Sequence, residues 1–304
     1  MASPEFALAH KRWVFLRRWG WLIGMKITAR NLRKFMAKSP KVPLPEGATE
    51  TRVDANGVPC AWVVAEGADP AKRILYLHGG GYVAGSVDTH TTLGGYISKA
   101  TGQAVLVADY RLAPEHKYPA AVNDADTAFD WMLTNGPDGP GEASRSVLMG
   151  DSAGGGLALG TVLSRKDQGK SLPDHVVALS AWADMTVSSA TMQSRAKADL
   201  ICRQDWLDEC AQLYVGDDRK APYASPVFGD FAGFPAMLLQ VGDAEVLLGD
   251  SEKLTEVARA AGVHVTLEIW PEMLHDWHLM APAVPEANAA IGEIADFLNG
   301  TSLH

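Results

Sequence analysis

From residue 50 onward, short β-rich runs alternate with stretches of helical period, and that rhythm leaves few architectures open. The runs fall at 50–54, 60–65, 73–78, 104–108, 145–149, 175–180, 236–241 and 263–270, and the helical stretches at 88–100, 120–134, 152–168, 249–261 and 285–299. Strands alternating with helices predict a mostly parallel, eight-stranded sheet with helices on both faces. Two segments break the rhythm. Residues 7–38 read as one or two basic amphipathic helices, ended by the Pro-rich stretch 39–45. Residues 183–234 form an insertion too long for a plain loop, as lids and caps do. The expected organisation is therefore one α/β domain, 46–182 and 235–304, with a helical cap built from segment 1–45 and insertion 183–234.

The run Val147-Leu148-Met149 leads into Gly150-Asp151-Ser152-Ala153-Gly154, followed at once by a helical stretch. Strand, glycine turn and helix are the setting of a nucleophile elbow, where the turn lifts a serine oxygen above the sheet, exposed, with a helix N-terminus behind it. A second glycine run follows another strand: Ile74-Leu75-Tyr76-Leu77 ends in His78-Gly79-Gly80-Gly81-Tyr82. Backbone N–H groups unhindered by side chains at the carboxyl end of a strand suit an anion, such as the oxyanion that forms when an acyl bond is attacked.

A serine hydroxyl needs a base, and the base needs an orienting carboxylate. In the order Ser, acid, His, the base follows the last strand, which offers His275 and His278. The acid follows the preceding strand, where the loop offers Asp243, Glu245 and Asp250. Most carboxylates in such a loop serve as helix caps or first-turn acids.

In combination, His78-Gly79-Gly80-Gly81, Asp109-Tyr110-Arg111-Leu112-Ala113-Pro114-Glu115-His116, Gly150-Asp151-Ser152-Ala153-Gly154-Gly155 and Met273-Leu274-His275-Asp276 resemble, in order over about residues 50–298, the hormone-sensitive-lipase-like carboxylesterases and lipases of the α/β-hydrolase fold. The resemblance implies Ser152 as nucleophile, His275 as base, and Gly80, Gly81 and Ala153 as oxyanion donors, within the motif positions His78, Gly79, Gly150, Asp151 and Gly154. Where that family has Asp-Pro-Leu at its acid, this chain has Glu245-Val246-Leu247, which places Glu245 on the catalytic acid and leaves Asp250 as the rival. Arg111 and Glu115 are expected to pair with each other and shape a wall. His90, His116, His175 and His264 are expected to be ordinary helix-face or strand-edge residues.

Charge narrows the partners. The net charge is −9, yet residues 1–43 hold ten Lys and Arg against a single acid, Glu5, so the remainder is strongly acidic and repels a polyanion. No metal or nucleotide cofactor is expected, since no cluster has ligand spacing and the serine elbow carries no Lys for a phosphate. Cys60, Cys202 and Cys210 are too few for a disulfide framework, and with no secretory signal the default is cytoplasmic. The apolar stretch 19–25 is too short to span a bilayer, and membrane association is not expected. The opening Met-Ala-Ser-Pro-Glu-Phe fits native sequence or a cloning remnant equally.

The expected activity is hydrolysis of short- to medium-chain carboxylic esters, or related lactones, through an acyl-enzyme, with a small-molecule ester as the partner and a homodimer left open. Arylamide hydrolysis by the same residues, a catalytically silent receptor, and a membrane-surface role for the basic N-terminal helices are the alternatives. Trp13, Phe15, Leu16, Trp19, Leu22 and Ile23 are expected to cover the mouth above Ser152, with Lys11, Arg12, Arg17, Arg18 and Lys26 turned away.

Overall fold

The computed structural model describes residues 2–22, 28–38 and 42–300. Eight strands form one sheet: β1 (Thr49–Ala55), β2 (Val58–Val64), β3 (Asp69–Leu77), β4 (Gln103–Ala108), β5 (Arg145–Asp151), β6 (His175–Leu179), β7 (Ala236–Gly242) and β8 (Val265–Trp270). Their order is β1-β2-β4-β3-β5-β6-β7-β8. The first two pairings, β1 with β2 and β2 with β4, are antiparallel, and every later one is parallel. All eight expected runs are strands, with boundaries moved by a few residues.

The helices are α1 (Pro4–Leu22), α2 (Ala29–Ala37), α3 (Val87–Thr101), α4 (Ala120–Thr134), α5 (Ala153–Asp167), the single turn α6 (Thr191–Ser194), α7 (Gln204–Tyr214), α8 (Leu248–Ala260) and α9 (Pro285–Asn299). Local chemistry sets their ends. A capping box between Ser86 and Thr89 starts α3, and Gly102 closes it in the left-handed conformation. Pro285 opens α9 and Gly300 ends it in the same way.

Alternation along the strands divides the core in two. Ile74, Tyr76, Val105, Val107, Val147 and Met149 face α3 and α9, while Leu75, Leu77, Leu106 and Leu148 face α4, α5 and α8. All ten are fully buried, so hydrophobic burial on both faces locks the register of the parallel strands. That rigidity matters for function because the turns after β3, β5, β7 and β8 all open at the carboxyl edge of this sheet.

The two segments outside the sheet rhythm are helical in part. In α2, Ala29, Leu32 and Met36 pack inward while Arg30 and Lys34 face solvent, as an amphipathic helix should. Arg33 ties this helix to the body through Val83 O at 2.6 Å, Ala113 O at 2.6 Å and Glu115. In α1, Phe6 is buried, but Phe15 is 62% exposed, against the expectation that it turns inward. The other residues expected on that surface or turned away from it, Trp13, Leu16, Arg17, Arg18, Trp19, Leu22, Ile23 and Lys26, lie outside the described residues and side chains. No helix of the described residues is long and apolar enough to cross a membrane.

Candidate active site

The elbow is built by close backbone approach. A Cβ on Gly150 would collide with Gly154 backbone and with Leu77 O, and one on Gly154 would collide with Leu77 O, so neither position accepts a side chain. Between them Ser152 has φ 52° and ψ −120°, a conformation costly for any residue but glycine. Its N–H bonds to Leu179 O at 2.8 Å, and its carbonyl accepts from Trp182 N–H at 2.9 Å and Gly156 N–H at 3.1 Å, which hold the strained turn. Helix α5 begins at Ala153, and the N–H groups of a first turn have no partner within their own helix. Ser152 itself is only 4% exposed. The sequence expectation of an exposed serine does not hold: His275 Nε2 lies against its Oγ, and the Cys202 thiol lies within hydrogen-bond reach of the same histidine.

Three side chains converge. His275 Nε2 lies 2.9 Å from Ser152 Oγ, and His275 Nδ1 lies 2.9 Å from Glu245 Oε2. Glu245 is fully buried, and its other oxygen accepts from Ser180 Oγ at 2.7 Å and Gly242 N–H at 2.6 Å. Burial pushes this carboxylate's pKa up, while His275 and the Gly242 N–H pull it back. Burial disfavours charge on His275, yet the neighbouring Asp276 carboxylate holds its pKa well above the ordinary histidine range. The Cys202 thiol, pushed by burial to about 12, stays neutral beside it.

The rivals are placed elsewhere. Asp250 Oδ2 accepts from the N–H groups of Ala183, at 2.9 Å, and Asp184, at 3.0 Å, so it anchors the start of the insertion. Asp243 accepts from Glu272 N–H at 2.7 Å. His278 Nε2 bonds to Gln240 Oε1 at 2.9 Å, and burial lowers its pKa to about 3, so it is a neutral core residue.

The glycine loop sits beside the serine with Gly80 at φ 118° and Gly81 at φ 63°, values that L side chains rarely adopt. A Cβ on Gly80 would collide with Ala84 backbone, and one on Gly81 would press on Cys210 and Trp206 of α7. Tyr214 of the same helix stacks on Tyr82 at 3.9 Å. The insertion thus packs directly on this loop.

Two further expectations are corrected. Arg111 and Glu115 do not pair: Arg111 bonds to Asp124 at 2.7 Å, and Glu115 to Arg33 at 2.7 Å, because α2 brings a cation from outside the block that spacing alone considers. His90 is no ordinary helix-face residue. It is buried, with Nε2 3.4 Å from Asp151 Oδ2, and its ring stacks on His78 at 5.4 Å. Tyr76 donates to the other oxygen of Asp151 at 2.7 Å, and Tyr110 donates to His78 O at 2.6 Å. Although burial opposes ionisation, the nearby His90 brings the Asp151 pKa down to about 2. This buried pair ties the elbow to the glycine loop. Sequence reading also missed Ser180 and the buried Asp199. Asp199 accepts from Cys202 N–H at 2.8 Å and Val246 N–H at 2.9 Å, linking the insertion to the Glu245 turn.

A serine on a strained strand-to-helix turn, with a glycine loop after a neighbouring strand and a Glu–His pair after the last two strands, defines the α/β-hydrolase class. The family model described as alpha/beta hydrolase fold matches residues 74–279. The chain is 41% identical over 240 residues to an acetyl-hydrolase of Streptomyces hygroscopicus, covering 77% of this chain and 79% of that one. In structure it is similar to EstE5, in a crystal soaked with p-nitrophenyl butyrate, with a TM-score of 0.90, 40% identity and 99% of both chains covered. It is likewise similar to an esterase from the bacterial hormone-sensitive lipase family, with a TM-score of 0.88, 38% identity and 99% of both chains covered. The chain belongs to the hormone-sensitive-lipase-like family of carboxylic ester hydrolases within the α/β-hydrolase fold.

Proposed function

We propose that this protein is a serine carboxylesterase that cleaves short- to medium-chain esters, and related lactones, through an acyl-enzyme on Ser152. The observation that carries the reading is the unbroken contact from Ser152 Oγ through both nitrogens of His275 to Glu245, each link 2.9 Å. In this mechanism His275 Nε2 takes the serine proton as Oγ attacks the ester carbonyl, and the developing oxyanion is held by the N–H groups of Gly80, Gly81 and Ala153. Glu245 holds the imidazolium on its other side. Nε2 then protonates the departing alcohol oxygen, and the histidine activates a water that releases the acid. The likeness to an acetyl-hydrolase and to a protein soaked with a butyrate ester supports the short-chain reading.

We further propose that insertion 183–234 and the N-terminal helices act as the cap. The packing of Trp206 and Cys210 on Gly81 supports the first part, and the Arg33 bonds to Val83 and Ala113 support the second.

A panel of p-nitrophenyl esters from acetate to palmitate, assayed beside lactones and anilides, tests the reading. Highest kcat/KM between acetate and octanoate is the expected result. Faster turnover of anilides than of esters favours the arylamide alternative, and no turnover of any activated ester with tight small-molecule binding favours a silent receptor.

A further inference from the structure

The nitrogen of His275 that faces the serine has a second neighbour. Asp276 is left-handed, with φ 54° and ψ 36°, and its Oδ2 lies 3.1 Å from His275 Nε2. Its backbone N–H donates to Ser180 Oγ at 3.2 Å, the same hydroxyl that holds Glu245. Its Oδ1 is buried with no hydrogen-bond partner among the described residues. A turn of this kind is served by glycine or asparagine as well as by aspartate, so the turn alone does not call for a carboxylate at the reactive nitrogen.

Resting on the reading that Ser152 forms an acyl-enzyme, we propose that Asp276 is a further catalytic residue whose carboxylate orients the hydrolytic water on His275 Nε2 during deacylation. Once Oγ is esterified it has no proton to offer Nε2. Two acceptors 3.1 Å apart are both within ordinary hydrogen-bond length of one oxygen, so a single water donates one hydrogen to Nε2 and the other to Asp276 Oδ2. Two donated bonds fix that water's remaining lone pairs, and orientation of this sort removes much of the entropy cost of the attack.

In the step itself the water oxygen bonds to the acyl carbon as its first proton passes to Nε2. The second proton stays on that oxygen, hydrogen-bonded to Asp276. The bond from the acyl carbon to Ser152 Oγ then breaks and Oγ recovers the proton from Nε2, leaving a carboxylic acid that ionises into solvent. Asp276 ends the cycle unchanged. Burial pushes its pKa up to about 7, against the pull of His275, so its carboxylate form is available near neutral pH and above. Once His275 is unprotonated, acylation passes no proton by way of it, because Ser152 Oγ then occupies the same nitrogen.

Asp276→Asn keeps the shape and tolerates the left-handed turn, and Asp276→Gly keeps the turn without a side chain. Stopped-flow assays with p-nitrophenyl butyrate, run on the alkaline plateau where His275 is unprotonated in every form, should show, for both variants, a full burst of nitrophenolate at near wild-type rate, followed by a steady-state rate slower by about tenfold or more. Intact-protein mass spectra should show the butyryl adduct accumulating, and hydroxylamine should speed turnover more in the variants than in the wild type. A burst and a steady-state rate that fall together, or that both stay unchanged, overturn the proposal. Ser152→Ala serves as the separate control: a burst that survives there defeats the acyl-enzyme reading itself.

Discussion

Ser180 Oγ donates to Glu245 Oε1 at 2.7 Å, so the serine at the end of β6 holds the acid that stands after β7. With Gly242 N–H on the same oxygen, the opposite one is left to face His275 Nδ1. The glutamate side chain reaches the histidine from the turn after β7, and the Ser180 bond fixes its rotamer. An imidazole can act as base at Nε2 only if Nδ1 carries its proton, and a carboxylate at Nδ1 enforces that tautomer.

Glu245→Gln should therefore lower kcat by several orders of magnitude, roughly the 10⁴ seen for a comparable change in serine proteases. Asp250→Asn keeps an oxygen for the Ala183 and Asp184 N–H groups and should cost far less, within about tenfold. Steady-state kinetics on p-nitrophenyl butyrate check both. The reverse ranking would move the acid to Asp250.

Ser152→Ala should leave the fold intact, because the strained turn is held by backbone bonds to Leu179, Trp182 and Gly156 rather than by the hydroxyl. Activity should drop below about a hundredth of wild-type kcat, since only binding and the oxyanion donors remain. Circular dichroism with a thermal melt checks the first part. An active, well-folded alanine variant would place the nucleophile elsewhere.

What the sequence made legible were features with a period or a fixed spacing. The eight strands appear as β-rich runs, and Ser152, the glycine loop and His275 each follow a strand at the carboxyl edge. The groups that support them have no such signal. His90 sits on α3, more than fifty residues before Asp151, and only the packing of α3 against the sheet brings the two to 3.4 Å. Ser180 is one serine among many until the fold sets it beside Glu245. The pairing of Arg111 with Glu115 failed for the same reason, since Asp124 and Arg33 come from other helices.

The pH profile follows from the groups around His275: Glu245 at Nδ1, Ser152 and Asp276 at Nε2, and a neutral Cys202 thiol. Although burial works the other way, Asp276 holds the histidine's pKa well above 6.5. The active form needs Nε2 unprotonated, so activity is lost as pH falls through this raised value. Stability has the opposite sign: the native state binds this proton more firmly than the unfolded chain, so the contribution is complete below about 6.5 and is lost as pH rises through the folded value. The acid limb of kcat/KM should have its midpoint above 6.5, and removing the carboxylate with Asp276→Asn should move it down. A wild-type midpoint at or below 6.5 contradicts this account.

The last prediction concerns α2. Arg33 reaches two carbonyls, Val83 beside the glycine loop and Ala113, and also pairs with Glu115. The ion pair is partly exposed and contributes little by itself, whereas the two carbonyl bonds seat the helix against the loop. If α2 is part of the acyl-pocket cover, Arg33→Ala should raise KM for hexanoate and octanoate esters by about tenfold or more, the scale of one lost charged hydrogen bond. The KM for acetate should change by less than about twofold, because a short acyl chain does not reach the cover. Deleting residues 1–38 should exaggerate the same trend and promote aggregation, by uncovering the surface that Ala29, Leu32 and Met36 now protect. A membrane tether makes a different prediction: soluble-ester kinetics unaltered and binding to anionic liposomes lost. A well-folded truncation with unchanged chain-length selectivity would remove α2 from the cap.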